Sequence, residues 1–211
     1  LPLSKGFLRG DGPTTVPIHE GKAQFTVDIA EGQKTGWFCD QRENRLAAAV
    51  YAKGKRVLEA FCHTGAFGMQ AALAGAQSVE GVDVSAAAVA MAQAHATQNH
   101  VAARCTYRQA DAFDELRVLE KRQQSYDVVI LDPPAFARSK KAVSHALAGY
   151  KDVNLRGLRL LPSGGVLASC SCSQPVSEDD FWNMLKSAAR DAHRQIRLLE
   201  QRGQGPDHPV L

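Results

Sequence analysis

The sequence predicts an α/β fold built on a doubly wound, mostly parallel sheet, and three observations lead there. From Lys55 onward, short apolar runs alternate with longer helical stretches, the pattern of successive βα units. Several runs, such as Val128-Val129-Ile130-Leu131, are continuously apolar, as strands buried on both faces are. Acids stand at or just beyond the strand ends: Glu59, Asp83, Asp111 and Asp132. In an open α/β sheet, the carboxyl ends of the strands are where ligands bind.

The elements follow in order. Residues 1–50 differ in character from the rest. Glycines and prolines break up the start, then residues 23–29 alternate like a strand. Residues 32–36 read as a turn, and Trp37-Phe38-Cys39 as the returning strand of a β-hairpin appendage. A helix over residues 40–50 follows, with Asp40 as N-cap and Glu43 at the capping-box position. This region reads as the remnant of a larger N-terminal part, and Leu1 as the start of a fragment. Residues 51–211 form the α/β domain. Its strands are expected at 56–61, 78–83, 105–108, 126–131 and 165–171, with a further one at 196–199. Helices are expected at 66–74, 85–99, 113–122, 150–161 and 178–193, the first ended by Gly75.

Composition narrows the classes. The chain has 211 residues, 45% of them hydrophobic and 22% charged, as expected of a globular protein. No run approaches a membrane span, and the N-terminus is not a signal peptide. Five scattered cysteines make a poor disulfide framework, so a reducing, cytoplasmic setting is expected. Cys170-Ser171-Cys172 lacks a second ligand pair, and no metal site is expected. Cys39, Cys62, Cys105 and Cys170 read as small buried hydrophobes. A net charge of +3 permits nucleic-acid binding without demanding it.

The first βα turn, Phe61-Cys62-His63-Thr64-Gly65, departs from a dinucleotide loop. Phe61 and His63 stand where a pyrophosphate would need glycine, which also argues against a nicotinamide dehydrogenase. Asp83 is placed to accept ribose hydroxyls, and Asp111-Ala112-Phe113 to hold and cover an adenine. Adenosine held by strand-end acids without a phosphate cradle fits S-adenosylmethionine, with Glu59, Phe61, Thr64 and Gly65 on its other side. Helix N-capping is the structural alternative for Asp83 and Asp111.

Asp132-Pro133-Pro134-Ala135-Phe136 ends a strand abruptly, because proline removes a ladder donor. It leaves an acid, free carbonyls and a ring suited to a flat nucleobase. Cys172, at the end of the fifth strand, shares a face with Cys170, because side chains alternate along a strand, and lies further toward the edge where Asp132 emerges. A thiol there can act as a nucleophile. Ring nitrogens accept a methyl group directly, whereas carbon 5 of a pyrimidine requires a thiolate to add first at carbon 6. The base must be single-stranded or flipped out of its stack. Arg138, Lys140, Lys141, Lys151, Arg156 and Arg159 could meet phosphates or form a solvated helix face.

Four segments together resemble the bacterial class I methyltransferases that act on 23S ribosomal RNA. They are Lys34-Thr35-Gly36-Trp37-Phe38-Cys39-Asp40-Gln41-Arg42-Glu43-Asn44-Arg45, the Asp132 motif, Gly149-Tyr150-Lys151-Asp152 and Ser171-Cys172-Ser173. Asp207-His208-Pro209-Val210 is similar to the family's C-terminal region. The closest type is the cytosine-C5 enzyme with an N-terminal PUA domain, which is absent from these residues. The family's last antiparallel strand is also not represented. The resemblance implies a Rossmann-like class I methyltransferase domain, S-adenosylmethionine as cofactor, RNA as partner, Cys172 as nucleophile, and Gln41 and Arg42 beside the cofactor, with Arg42 on the methionine carboxylate. A homodimer is a further expectation. Two rivals remain: an RNA methyltransferase acting on a guanine or adenine nitrogen, and a non-catalytic RNA-binding scaffold.

Overall fold

The computed structural model describes residues 11–30, 32 and 36–208. Five parallel strands form one sheet: β3 (Arg56–Ala60), β4 (Ser78–Asp83), β5 (Cys105–Gln109), β6 (Val128–Leu131) and β7 (Val166–Ser169). Before them, β1 (Thr15–Glu20) and β2 (Ala23–Asp28) form an antiparallel hairpin. The sheet order is β5-β4-β3-β6-β7, so the chain winds outward from β3 in one direction and returns to β6 to wind in the other. The crevice between the carboxyl ends of β3 and β6 is therefore the topological switch point.

Side-chain alternation along these strands divides the core into two faces. Val57, Val79, Val128 and Ile130 point to one side, where they meet α2 (Ala66–Leu73) and α3 (Ala86–Gln98). Leu58, Val82, Val129 and Leu131 point to the other, against α4 (Ala112–Lys121), α5 (Val143–Arg159) and α6 (Glu178–Asp191). Ala23, Phe25, Val27 and Trp37 join the first cluster, so the hairpin shares a core with the sheet.

The hairpin differs from the one expected. Residues 23–28 pair with Thr15–Glu20, not with 37–39. Gly21, at φ +59°, and Lys22 connect Glu20 to Ala23, and glycine supplies the left-handed backbone that a two-residue turn needs. Of the turn expected at 32–36, residues 33–35 lie outside the described residues. Trp37 serves as a core anchor, 4.5 Å from the Phe25 ring. Residues 39–41 make a 3-10 turn, and α1 (Arg42–Val50) begins after Gln41 without a side-chain cap, so Asp40 is not its N-cap. Glu43 pairs with Arg42 instead of closing a capping box.

Three further differences lie toward the C-terminus. The helix expected from Tyr150 begins at Val143. β7 stops at Ser169, which leaves Cys170 and Cys172 in the following loop. Residues 196–199 are not a strand: Leu198 and Leu199 are exposed, and the segment runs across to α1. There Tyr51 donates to Glu200, Asn44 to the Gly203 carbonyl and Gly205 N–H to the Asp40 carbonyl.

Two buried carboxylates fix the hairpin and the first βα turn. Arg45 holds Glu20 bidentately, donating from Nε to Oε1 at 2.6 Å and from Nη2 to Oε2, and it also reaches the Phe38 carbonyl at 3.0 Å. Trp37 Nε1 donates to the same carboxylate at 3.2 Å, and Gln70 on α2 donates to the Glu20 carbonyl at 2.8 Å. Glu59, 2% exposed, accepts the amides of Phe67 at 3.1 Å and Gly68 at 2.9 Å. A Cβ on Gly68 would stand 2.5 Å from the Glu59 Oε2, so only glycine admits this contact. Burial pushes the Glu59 carboxyl up to about 8, against the two amide donors, with the Asp132 charge adding to the rise.

Glu20→Ala would leave a buried, unpaired guanidinium and should cost about 3–5 kcal/mol, read as a lower urea midpoint at unchanged slope. The folded state keeps the Glu59 proton to a higher pH than the unfolded chain does. Its contribution to stability is therefore full below the ordinary value of 4.5 and falls as pH rises toward about 8. Urea midpoints measured across that window should decline, and Glu59→Gln should flatten the decline.

Candidate cofactor and base site

The turn after β3 is wound against the backbone's usual preference. Phe61 (φ +63°), His63 (φ +47°) and Gly65 (φ +77°) all occupy the left-handed region, and for the first two this is strained. Surrounding hydrogen bonds hold the conformation. Cys62 N–H donates to the Val82 carbonyl at 3.0 Å, Gly65 N–H to the Cys62 carbonyl at 2.7 Å, and His63 N–H to Asp83 Oδ2 at 2.8 Å. Burial pushes His63 below its ordinary value, and its ring stands edge-on to Phe38 at 5.5 Å.

His95, which sequence reasoning passed over, braces the turn from α3. Its Nδ1 lies 3.0 Å from the Thr64 carbonyl, and Nε2 lies 3.1 Å from the Thr26 carbonyl on β2. The signal was present: His95 falls on the buried stripe of Ala88, Ala92 and Ala96, where an apolar residue would be expected.

The expected cofactor acids separate by position. Glu59 lies beneath the turn, with both oxygens taken by α2 amides; it shapes the loop and does not line its open side. Asp83 is half-buried at the crest and also receives Ser85 N–H at 2.9 Å. Asp111 is exposed and caps α4, its Oδ1 accepting Phe113 N–H at 2.8 Å and Asp114 N–H at 3.2 Å. The capping role considered for Asp111 is therefore real, and its Oδ2 makes neither bond. Ala112 is buried behind it. Val84, also passed over, is 68% exposed beside Asp83, an apolar surface at the rim. Its signal was an apolar residue directly after a strand-end acid.

Strand register brings the second half of the site alongside. Ala60 pairs with Leu131 and Leu131 with Ser169, so Phe61, Asp132 and Cys170 emerge side by side. Gln41 Nε2 donates to Asp132 Oδ1 at 3.1 Å and is itself oriented by Asn44, which donates to Gln41 Oε1 at 2.6 Å. Arg42 is directed elsewhere: Glu43 and Asp207 take its guanidinium, each at 3.1 Å. The expected carboxylate partner is thus engaged with the C-terminal segment. Pro209 and Val210 of that segment lie outside the described residues.

Pro133 is buried and Pro134 exposed. Phe136, expected as a stacking platform, instead packs inward, 4.6 Å from Tyr150 and 5.7 Å from Phe113. With Phe113, His145, Ala148 and Gly149 it lines an apolar cavity of about 350 Å³.

The two loop thiols differ sharply. Burial and the Asp132 charge push Cys170 well above the ordinary thiol value, so it stays protonated. Cys172 is exposed, and its Sγ lies 3.7 Å from the Pro133 carbonyl. Cys62 and Cys105 are buried, but Cys39 is exposed, contrary to expectation. The basic patch also divides. Lys151 pairs with Asp191, Arg156 with Glu120 and Asp152, and Arg159 with Glu120. Arg138, Lys140 and Lys141 are exposed beyond the Asp132 motif.

This set of residues suits an adenosyl sulfonium better than a pyrophosphate. The turn offers no Lys or Arg and carries side chains at Phe61 and His63, while the rim offers carboxylates and an apolar face at Val84. No helix of the described residues is long and apolar enough to cross a membrane, and none of their His, Cys, Asp and Glu groups could hold a metal ion.

Comparison with known proteins gives the same answer. A proteins' family model for S-adenosylmethionine-dependent methyltransferases matches residues 4–211. The "Ribosomal RNA large subunit methyltransferase I" of Shewanella denitrificans is 41% identical over 208 residues, covering 98% of this chain and 52% of that protein. The protein of that name from Serratia proteamaculans is 40% identical over 213 residues, covering 100% of this chain and 54% of its own length. The chain thus spans about half the length of the curated relatives it matches. The crystal structure of SMU.776, described as a methyltransferase complexed with SAH, superposes with a TM-score of 0.82 at 26% identity, covering 97% of this chain and 54% of that one. The turn, the rim acids and the match along nearly the whole chain lead to one conclusion: this chain belongs to the S-adenosylmethionine-dependent methyltransferases.

Proposed function

We propose that this chain methylates carbon 5 of a cytosine in large-subunit ribosomal RNA, with Cys172 as the nucleophile. The observation that carries the reading is the exposed Cys172 thiol over the Pro133 carbonyl, at the strand edge where Asp132 emerges. The relatives named as ribosomal RNA large subunit methyltransferases support RNA as the substrate. Asp83 would hold the ribose, Asp111 and Ala112 the adenine edge, and Val84 one adenine face. Phe61, Thr64 and Gly65 would line the methionine side, and Gln41 would set the rotamer of Asp132.

S-adenosylmethionine supplies an electrophilic sulfonium methyl group. The chain's own residues make the acceptor carbon nucleophilic. The Cys172 thiolate donates an electron pair to carbon 6 of the ring, and the negative charge spreads toward carbon 5, N3 and the exocyclic oxygen. N3 takes up a proton from solvent as the charge arrives, and the Asp132 carboxylate would accept the resulting N3–H and hold the ring. After carbon 5 is methylated, a base takes its proton, the ring double bond re-forms and the carbon–sulfur bond breaks, returning the thiolate. Arg138, Lys140 and Lys141 would meet phosphates beside the extruded base.

Cys172→Ala should abolish methyl transfer to a large-subunit ribosomal RNA transcript, assayed with labelled S-adenosylmethionine, while calorimetry gives a near-normal dissociation constant. Full activity in that variant would transfer the reading to a guanine or adenine nitrogen, which needs no thiol. Asp83→Ala should weaken S-adenosylmethionine binding by about 10-fold or more, the loss of hydrogen bonds to a charged acceptor being worth about 1.5–3 kcal/mol. No binding by the unaltered chain would favour a scaffold.

A further inference from the structure

Cys172 is flanked by two serines, and one phenol from a different element bonds to both. Tyr150, in the middle of α5, is fully buried, with its ring between Phe136 at 4.6 Å and Phe181 at 5.4 Å. Ser171 Oγ donates to the Tyr150 hydroxyl at 3.0 Å. That hydroxyl lies 2.9 Å from Ser173 Oγ, and Ser173 is 4% exposed. Ser173 N–H donates back to Ser171 Oγ at 3.3 Å, which closes a ring of three hydrogen bonds. Ala137 N–H, just beyond the Asp132 motif, also donates to Ser173 Oγ at 3.0 Å.

We propose that Tyr150 is a positioning residue for the Cys172 thiol: its buried hydroxyl clamps the residues on either side and sets where Sγ stands above the Asp132 motif. The proposal rests on reading Cys172 as the nucleophile. One consistent assignment gives each of these four bonds its own donor. Ser171 donates to Tyr150, Tyr150 and Ala137 donate to Ser173, and the Ser173 amide donates to Ser171. Without the phenol oxygen, the loop keeps the backbone bonds from Cys170 N–H to the Leu131 carbonyl and from Val176 N–H to the Ser173 carbonyl. Cys172 Sγ would also keep its contact with the Pro133 carbonyl, but the serines on either side of it would lose their common anchor. Addition to a ring carbon requires the sulfur within near-attack distance, and an error of about 1 Å costs on the order of 100-fold in rate.

Clamping also links the two loops that must cooperate. The Tyr150 ring supports Phe136, its hydroxyl holds Ser171 and Ser173, and Ser173 anchors Ala137. The thiol and the acid therefore share one buried support.

The test is Tyr150→Phe, which keeps the ring and removes one oxygen, assayed on the full chain with S-adenosylmethionine and a large-subunit ribosomal RNA transcript. Tyr126→Phe is the control: Tyr126 is equally buried but donates to Glu80 at 2.8 Å, away from the thiol loop. Tyr150→Phe should lower kcat about 100-fold and leave KM for RNA and the S-adenosylmethionine Kd within about twofold, while Tyr126→Phe leaves all three unchanged. A kcat within about threefold of the unaltered chain, an equal loss in Tyr126→Phe, or a change confined to KM would overturn the assignment. Cys172→Ala is run alongside. Activity there would remove the nucleophile reading itself, whereas an inactive Cys172→Ala beside a normal Tyr150→Phe would remove only the role given to Tyr150.

Discussion

The hydrogen bonds from Phe67 and Gly68 to the buried carboxyl group of Glu59 are the constraint on which the site is built. Glu59 lies on the central strand, and α2 can begin where it does only if its first amides find an acceptor beneath them. The buried carboxyl group is that acceptor. With α2 fixed from below, the turn between strand and helix must close in very few residues, and it does so by taking positive φ at Phe61, His63 and Gly65. Asp83, from the neighbouring strand, then catches the His63 amide. The strained turn, the helix start and the rim acid form one unit.

A second unit faces it across the switch point. Asp132 emerges from β6 beside the turn, Gln41 reaches over from the segment before α1, and Cys170 and Cys172 follow from β7. The buried Glu20–Arg45 pair explains why Gln41 is available there. It binds the hairpin to α1, with Trp37 and Gln70 on the same carboxylate, and so delivers the start of α1 to the sheet edge. Residues read from sequence as an appendage thus supply part of the site's wall. His95 joins the units from behind by touching both Thr26 and Thr64.

Strands buried on both faces were legible because nothing but continuous apolar runs can occupy the middle of such a sheet, and their ends were legible because acids, glycines and prolines interrupt them. Elements that depend on tertiary partners were not. Residues 23–28 alternate correctly, but their partner is decided by Gly21 and by the burial of Trp37 against Phe25, which local pattern does not reveal. Residues 196–199 carry strand-forming side chains, yet Leu198 and Leu199 are exposed, and the chain just after them is tied by polar contacts at Glu200 and Gly203 to Tyr51 and Asn44. The positions of Asp132, Asp83, Asp111 and Cys172 were legible because each stands at a strand end or just past it. The orientations of Arg42 and Phe136 were not found, since each depends on a neighbour remote in sequence, Asp207 in one case and Tyr150 in the other.

The central claim is that the thiol of Cys172 forms a bond with the target ring. A large-subunit ribosomal RNA transcript containing 5-fluorocytosine, in which elimination cannot follow methylation, tests it directly. With S-adenosylmethionine present, the account predicts a denaturation-resistant protein–RNA adduct whose digested peptide carries a methylated fluorocytosine on Cys172. An RNA methylated elsewhere with no adduct, or an adduct mapped to another residue, would contradict it.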